Sequence, residues 1–382
     1  MSDSVHEKLP HVLELLKIVE GAVNADREKV NSYTELLASK LAAEGHKNVA
    51  DRLQRALHSS KTRMLELSRT GTRVPVDQES RLSLADEELV RPADAVVFVS
   101  PEVSASVSEF IRFVVASDRL ISHGVGVSPS MLLYGPPGCG KTELARYVAS
   151  QLGLPLLTAR SDSLISSFLG STAKNLRVLF EHAMARPCVL FLDEFDALAK
   201  ARDDKNELGE LKRVVVSLLQ NIDALASKTV LLAATNHDHL LDPAIWRRFA
   251  FRLEIGLPEL QARRAMFQRF CGDLAEGADE DLDLFAGISA TLSGADIKQV
   301  ADDSKRSAIL SDRNRIDPAE VLRRILRLRL PDLDKESVPM EAKVAAARRL
   351  APELLTYRRL SDVFGVSLGR LSKLLREEVA SG

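Results

Sequence analysis

Between Gly135 and Thr142 the sequence reads GPPGCGKT, a G-x-x-x-x-G-K-T spacing. Each residue type there has a task if the ligand is a nucleoside triphosphate. Glycines let the backbone curl so that successive N–H groups face phosphate oxygens, and a helix opening near Lys141 adds the positive end of its dipole. Lys141 would carry a full charge to the β- and γ-phosphates, and the Thr142 hydroxyl is placed to ligate Mg²⁺. The candidate phosphate-binding site comprises Gly135, Pro136, Pro137, Gly138, Cys139, Gly140, Lys141, Thr142 and Glu143.

A phosphate cradle alone fits a kinase, a GTPase or a motor, so the downstream residues decide. CVLFLDEF, Cys188 to Phe195, is an apolar run ending in two acids, as suits a buried parallel strand that delivers carboxylates at its C-terminal end. Asp193 would hold the Mg²⁺, and Glu194 would polarise the water that attacks the γ-phosphate. Two buried, unpaired acids would be costly in a merely structural strand. A further strand, Thr229 to Ala234, ends at Thr235-Asn236, where Asn236 is placed to orient that water. LDPAIWRRF then sets Arg247 beside Arg248. Such a pair is usually solvated charge; one or both would reach a neighbouring subunit's γ-phosphate as arginine fingers if the chain assembles.

The elements that must hold these groups alternate. Met131 to Tyr134 is a short apolar run before the glycine-rich turn and Leu154 to Thr158 is another, each followed by a helical pattern. This is the layout of a doubly wound α/β domain. At 382 residues the chain has room for two to four domains, and its net charge of −2 favours neither nucleic acid nor a membrane. The three cysteines, Cys139, Cys188 and Cys271, form no metal-like or disulfide-like pattern, which fits a reducing compartment. No apolar run approaches a membrane span, and the N-terminal residues lack the basic and apolar regions of a signal peptide. A cytoplasmic protein is expected.

Taken together, these motifs resemble the AAA family of ATPases within the wider AAA+ class, over roughly Val96 to Ala308. GPPGCGKT resembles the family's Walker A, FLDEFDAL its Walker B, AATN its first sensor and LDPAIWRRF its arginine-finger stretch. TLSGAD, Thr291 to Asp296, is similar to the start of the lid helix, which implies that Gly294 and Ala295 close over the nucleotide. The resemblance implies an α/β P-loop core with an all-α lid, ATP and Mg²⁺ as cofactors, a homo-oligomer of six chains and a protein substrate. Two departures stand out. The glycine-containing motif that clasps adenine in relatives is replaced by VVFVSP, Val96 to Pro101. Cys139 takes the place of Thr or Ser, and a thiol beside the phosphates near a helix N-terminus is expected to have a lowered pKa and to be open to alkylation.

The expected domains are an N-terminal helical domain over 1–69, a linker over 70–91, the large ATPase subdomain over 92–258, the lid over 259–330 and a C-terminal helical region over 331–382. Apolar stripes at Val12 to Val19, Leu36 to Leu41 and Val49 to Leu57 mark the N-terminal helices, which read either as a stabilising bundle or as an adaptor. Phe168, Leu169 and Gly170 precede a helical pattern. A phenylalanine there is most often core; the family resemblance implies instead a pore loop that grips an extended polypeptide. Asp203 to Glu210 reads as a second pore lining or as plain surface.

Tyr357 to Glu377 resembles a helix-turn-helix, with Ser361 where two helices approach, Gly365 at the turn, and Leu360, Phe364, Val366, Leu371 and Leu374 as core. Ser367, Arg370 and Lys373 would then face a major groove, and the chain from Val321 onward is basic by roughly five charges. A helical hairpin for packing or partner docking fits the same residues. The readings are thus an oligomeric motor acting on protein, with or without a partner protease, and an ATP-regulated DNA-binding switch. No H-E-x-x-H motif occurs. The overall layout is similar to that of bacterial AAA proteins encoded beside subtilisin-like proteases in defence modules.

Overall fold

In a buried parallel sheet successive side chains must find apolar partners on both faces, and the central strands CVLFL and TVLLAAT are buried at every position. The computed structural model describes residues 11, 15, 17, 27–43, 46–47, 49–53, 74–77, 81–164, 169–199, 208–225, 229–275, 278–335 and 337–373. The chain divides into two units, Met1–Arg73 and Val74–Gly382. In the first, α1 is Arg27–Ala43 and residues 49–53 are helical, with Leu37, Ala38 and Ala50 buried. Leu36 and Val49 are exposed, so the expected stripes are only partly inward. Leu15 apart, the stripe from Val12 to Val19 lies outside the described residues, as does Leu57.

The second unit runs β1 (Ala85–Glu88), α2 (Pro101–Val115), α3 (Ser117–Ser122), β2 (Ser130–Tyr134), α4 (Lys141–Leu152), β3 (Leu156–Ala159), α5 (Ser161–Leu164), α6 (Leu169–Met184), β4 (Cys188–Leu192), α7 (Asp196–Ala199), α8 (Leu208–Asp223), β5 (Thr229–Thr235), α9 (Pro243–Trp246) and β6 (Phe251–Glu254). Helices α10 (Leu260–Cys271), α11 (Asp279–Ile288), α12 (Gly294–Leu310), α13 (Pro318–Arg329), α14 (Met340–Leu350) and α15 (Tyr357–Phe364) follow. The strands form one sheet in the order β1-β3-β4-β5-β2-β6, parallel except for β1. Alternation divides its core. Leu132, Leu190, Leu192, Leu231 and Ala233 pack with Phe180 of α6 and Leu218 of α8. Met131, Leu133, Val189, Phe191, Val230 and Leu232 pack with Phe110 of α2 and Val148 of α4. Strands β4, β5 and β2 are neighbours, so the acids, Asn236 and the phosphate loop leave the sheet side by side at its carboxyl end.

Two expectations need correction. The linker over 70–91 contains a strand: Leu84 and Ala85 are buried, and β1 pairs antiparallel with β3 from Ala85↔Ala159 to Glu88↔Leu156. Its acids meet arginines distant in sequence, Asp86 with Arg160, Glu87 with Arg186 and Glu88 with Arg146. The boundary at 331 does not separate two cores either. Val344, Ala347, Leu355, Leu360, Val363 and Leu371 share one apolar cluster with Phe267, Phe285, Val300 and Ile325 of the lid. A Cβ on Gly287 of α11 would stand 2.6 Å from Leu354 Cδ1, so the lid surface is shaped to receive the C-terminal helices.

Helix α15 starts at the Thr356 cap and stops at Gly365, whose φ of +66° needs a residue without a side chain. Residues 368–373 are again helical. The Ser361 hydroxyl donates to the Val366 carbonyl at 2.6 Å, so it fastens the turn. Leu374 lies outside the described residues.

Candidate functional site

The loop after β2 is forced into shape by its glycines. Gly135, Gly138 and Gly140 have φ of +136°, +73° and +95°, a region closed to most side chains. A Cβ on Gly135 would lie 2.3 Å from the Ile255 carbonyl oxygen, and one on Gly138 would lie 2.7 Å from Ser293 Oγ. The loop is therefore wedged between β6 and the start of the lid helix α12. There the Ala295 N–H donates to the Gly138 carbonyl at 3.0 Å, and Ser293 and Asp296 cap α12 reciprocally.

Lys141 opens α4, is 7% exposed, and folds back so that Nζ donates to the carbonyls of Gly135 at 2.7 Å and Pro136 at 2.8 Å. Burial holds its pKa below the ordinary lysine value, opposed by the nearby Cys139, Asp193 and Asp196. The Thr142 hydroxyl donates to Asp193 Oδ2 at 2.9 Å. This one contact joins the phosphate loop to the acid strand. A hydroxyl and a carboxylate are hard oxygen donors of the kind Mg²⁺ takes, with water and phosphate oxygens completing its shell. Among the described residues no group of three or more His, Cys, Asp or Glu converges as a metal cage.

Glu194 is exposed and sits at φ +49°, a conformation that costs a non-glycine residue free energy and that must be held by its surroundings. The Ser161 hydroxyl donates to its Oε2 at 3.1 Å. On the next strand the Thr235 hydroxyl donates to Asp196 Oδ1 at 2.9 Å and accepts from the His237 N–H at 3.0 Å. These bonds fix the turn that carries Asn236. Ser161 and Asp196 were not singled out by the sequence reading; a hydroxyl just after the strand next to β4 is the signal that would have found Ser161.

Pro137 to Glu143, Asp193, Glu194 and Asn236 line one cleft of about 540 Å³, which Gly294, Ala295 and Lys298 of the lid also line. Its far end is apolar: Val96, Val97, Phe98 and Val99 stand opposite Met266 and Phe270, and the Phe98 and Phe270 rings meet edge to face at 6.0 Å. Val96 to Val99 of VVFVSP thus line one wall of the cleft.

Cys139 departs from expectation. It is 6% exposed within the apolar cluster beneath α4, and burial pushes its thiol up despite the nearby Lys141. The activated thiol beside the phosphates gives way to a largely packed one.

The arginine pair is divided. Arg248 forms a two-pronged ion pair with Asp223, at 2.8 and 2.9 Å, and donates to the Ala244 carbonyl at 2.9 Å. Arg247 is exposed and makes no side-chain hydrogen bond among the described residues. Leu169 and Gly170 are the first residues of α6, where a loop before the helix was expected. Phe168 and residues 203–207 lie outside the described residues.

Comparison with known proteins agrees with this geometry. Residues 131–257 match the profile of the ATPase family associated with various cellular activities (AAA). An uncharacterized AAA family ATPase of Sinorhizobium fredii is 46% identical over 213 residues, 55% of this chain and 62% of the relative. An ATP-dependent zinc metalloprotease FtsH 3 of Sphaerobacter thermophilus is 32% identical over 58% of this chain and 46% of its own length. Proteasome-activating nucleotidase 1 of Haloferax volcanii is 38% identical over 50% of each chain. The match thus spans less than two thirds of each of these relatives. Among the described residues no helix is long and apolar enough to cross a membrane.

Proposed function

Residues 131–257 are an ATPase domain of the AAA family, and from that premise we propose that the chain hydrolyses ATP in this cleft and uses the cycle to remodel a protein substrate, as one member of a ring of identical chains, six in number. The observation that carries the reading is the 2.9 Å contact between Thr142 and Asp193, which brings cradle and acids to one point. Lys141 would leave the Gly135 and Pro136 carbonyls for phosphate oxygens. Magnesium, when bound between Thr142 and Asp193, would offset phosphate charge. Glu194 would take the proton of the attacking water and Asn236 would orient that water. Val96 to Val99 with Met266 and Phe270 would hold the base, and the bond from Ala295 to Gly138 would tie the lid to the phosphate loop.

Arg247 would act in a neighbouring subunit's cleft, while Arg248 holds the segment in place through Asp223. Phe168, Leu169 and Gly170 would grip the substrate chain. The names of two relatives, an ATP-dependent protease and a proteasome activator, favour a protein substrate. A partner protease would cleave the chain that the ring unfolds.

The second reading is an ATP-regulated DNA-binding switch. It is favoured by the left-handed turn at Gly365, which leaves Ser367 and Arg370 exposed, and it requires binding to duplex DNA that weakens steeply with salt.

The test is phosphate release against protein concentration, with assembly followed by light scattering. Activity should rise with assembly and be lost in Arg247→Ala while ATP binding persists. Turnover independent of assembly would remove the ring and the finger together.

A further inference from the structure

The exposed Arg247 lies in a short segment bracketed by aromatic residues, and each of them stacks on a residue adjoining a different part of the nucleotide site. Trp246 meets Tyr134 edge to face, with centroids 5.2 Å apart at 73°. Tyr134 is the last residue of β2 and is followed by Gly135, the first glycine of the phosphate loop. Phe249 meets Phe195 edge to face at 5.9 Å and 85°. Phe195 follows Glu194 directly, and both phenylalanines are buried. One ring pair thus includes the residue before the cradle and the other the residue after Glu194.

The rest of the segment is fastened away from the cleft. Ser130 Oγ donates to the Arg248 carbonyl and accepts from the Ala250 N–H, each at 3.1 Å. Asp223 grips the Arg248 side chain, and Asp242 caps α9 through the Ala244 N–H at 2.7 Å. With these anchors fixed, a shift of Gly135 or Glu194 reaches Arg247 through the two ring pairs. Glu194 is suited to shift, since its φ of +49° depends on surrounding contacts. The buried Phe195–Phe249 pair transmits displacement because interiors have few voids to absorb it, and the half-buried Tyr134–Trp246 pair does so through its direct ring contact.

We propose that Trp246 and Phe249 are positioning residues, which through Tyr134 and Phe195 make the placement of Arg247 depend on the nucleotide in the chain's own cleft. This rests on the reading that Arg247 serves a neighbouring cleft, and it adds a direction: each subunit's own occupancy sets how well it activates the next.

Trp246 is the single tryptophan of the chain, so its emission reports on the contact. The full-length Glu194→Gln protein, which should bind ATP without turning it over, is titrated with ATP and magnesium below the concentration of assembly. The emission should change saturably, with a midpoint matching the affinity found by calorimetry. In Tyr134→Leu the change should shrink about fivefold or more while affinity stays within about twofold. In the assembled protein Trp246→Leu should lower kcat about tenfold with KM for ATP little altered, and Trp246→Phe should recover most of the loss.

Flat emission at saturating ATP, or wild-type kcat in Trp246→Leu, would overturn the proposal. If Trp246→Leu does not fold, the titration decides alone. Wild-type turnover in assembled Arg247→Ala would overturn the finger reading instead, and an emission change would still stand as evidence that the rings sense nucleotide.

Discussion

The nucleotide cleft and the C-terminal helices each carry a motif with a familiar spacing, yet they treat their polar groups differently. In the cleft, Glu194 is exposed and Thr142 meets Asp193 at the edge of an open cavity. Lys141 holds only the carbonyls of its own loop, which phosphate oxygens would replace. Around the C-terminal helices four of the arginines that make the region basic are spent on the fold. Arg323 donates to the Val363 carbonyl, Arg329 to Ile288, Arg348 to Leu355 and Arg359 to Leu354. A charge bound to a buried carbonyl stabilises packing and has little left for phosphate. Spacing therefore indicates a ligand only where the geometry leaves the groups available, as it does in the cleft.

The sharpest way to break this contrast is Lys141→Ala. ATP affinity should fall about a hundredfold, on the order of 2–3 kcal/mol, with the melting temperature nearly unchanged; calorimetric titration and thermal unfolding read the two sides. Arg348→Ala should do the reverse. Removing its bond to Leu355 and its position 4.6 Å over the Tyr357 ring should cost about 1–3 kcal/mol of stability by chemical denaturation and leave ATP affinity alone. Gly365→Ala forces a Cβ into left-handed backbone and should cost about 1–2 kcal/mol in the same assay. Arg370→Ala should change stability by less than about 0.5 kcal/mol, because Arg370 is exposed. A substantial loss there would mean that even the outward residues are structural. A loss of salt-dependent duplex binding would instead restore the DNA-binding reading.

What the sequence showed and what it hid follow the range of the interactions. Gly135 to Thr142, Cys188 to Glu194 and Thr229 to Asn236 were legible because each packs its strand, turn and functional group into consecutive residues. Strand β1 was not. Its sequence, ADEE, carries neither apolar alternation nor β-branched residues, and the strand is held by arginines at positions 146, 160 and 186. The apolar wall of the cleft was hidden in the same way, since Phe98 and Phe270 are far apart in sequence and meet only in the fold. The lowered pKa expected of Cys139 failed because helix-end position was legible and burial was not. The arginine pair looked alike in sequence. Asp223, 25 residues before Arg248, is what separates their surroundings.

The account stands or falls on Glu194 acting on water in a cleft that binds ATP. The most direct measurement is single-turnover phosphate release by the assembled full-length protein, wild type against Glu194→Gln, with equal bound ATP confirmed by titration. The account predicts a rate lower by about 10²–10³-fold in the variant at unchanged affinity. Equal rates at equal occupancy would contradict it, because the Glu194 carboxylate just beyond β4 would then have no part in the reaction.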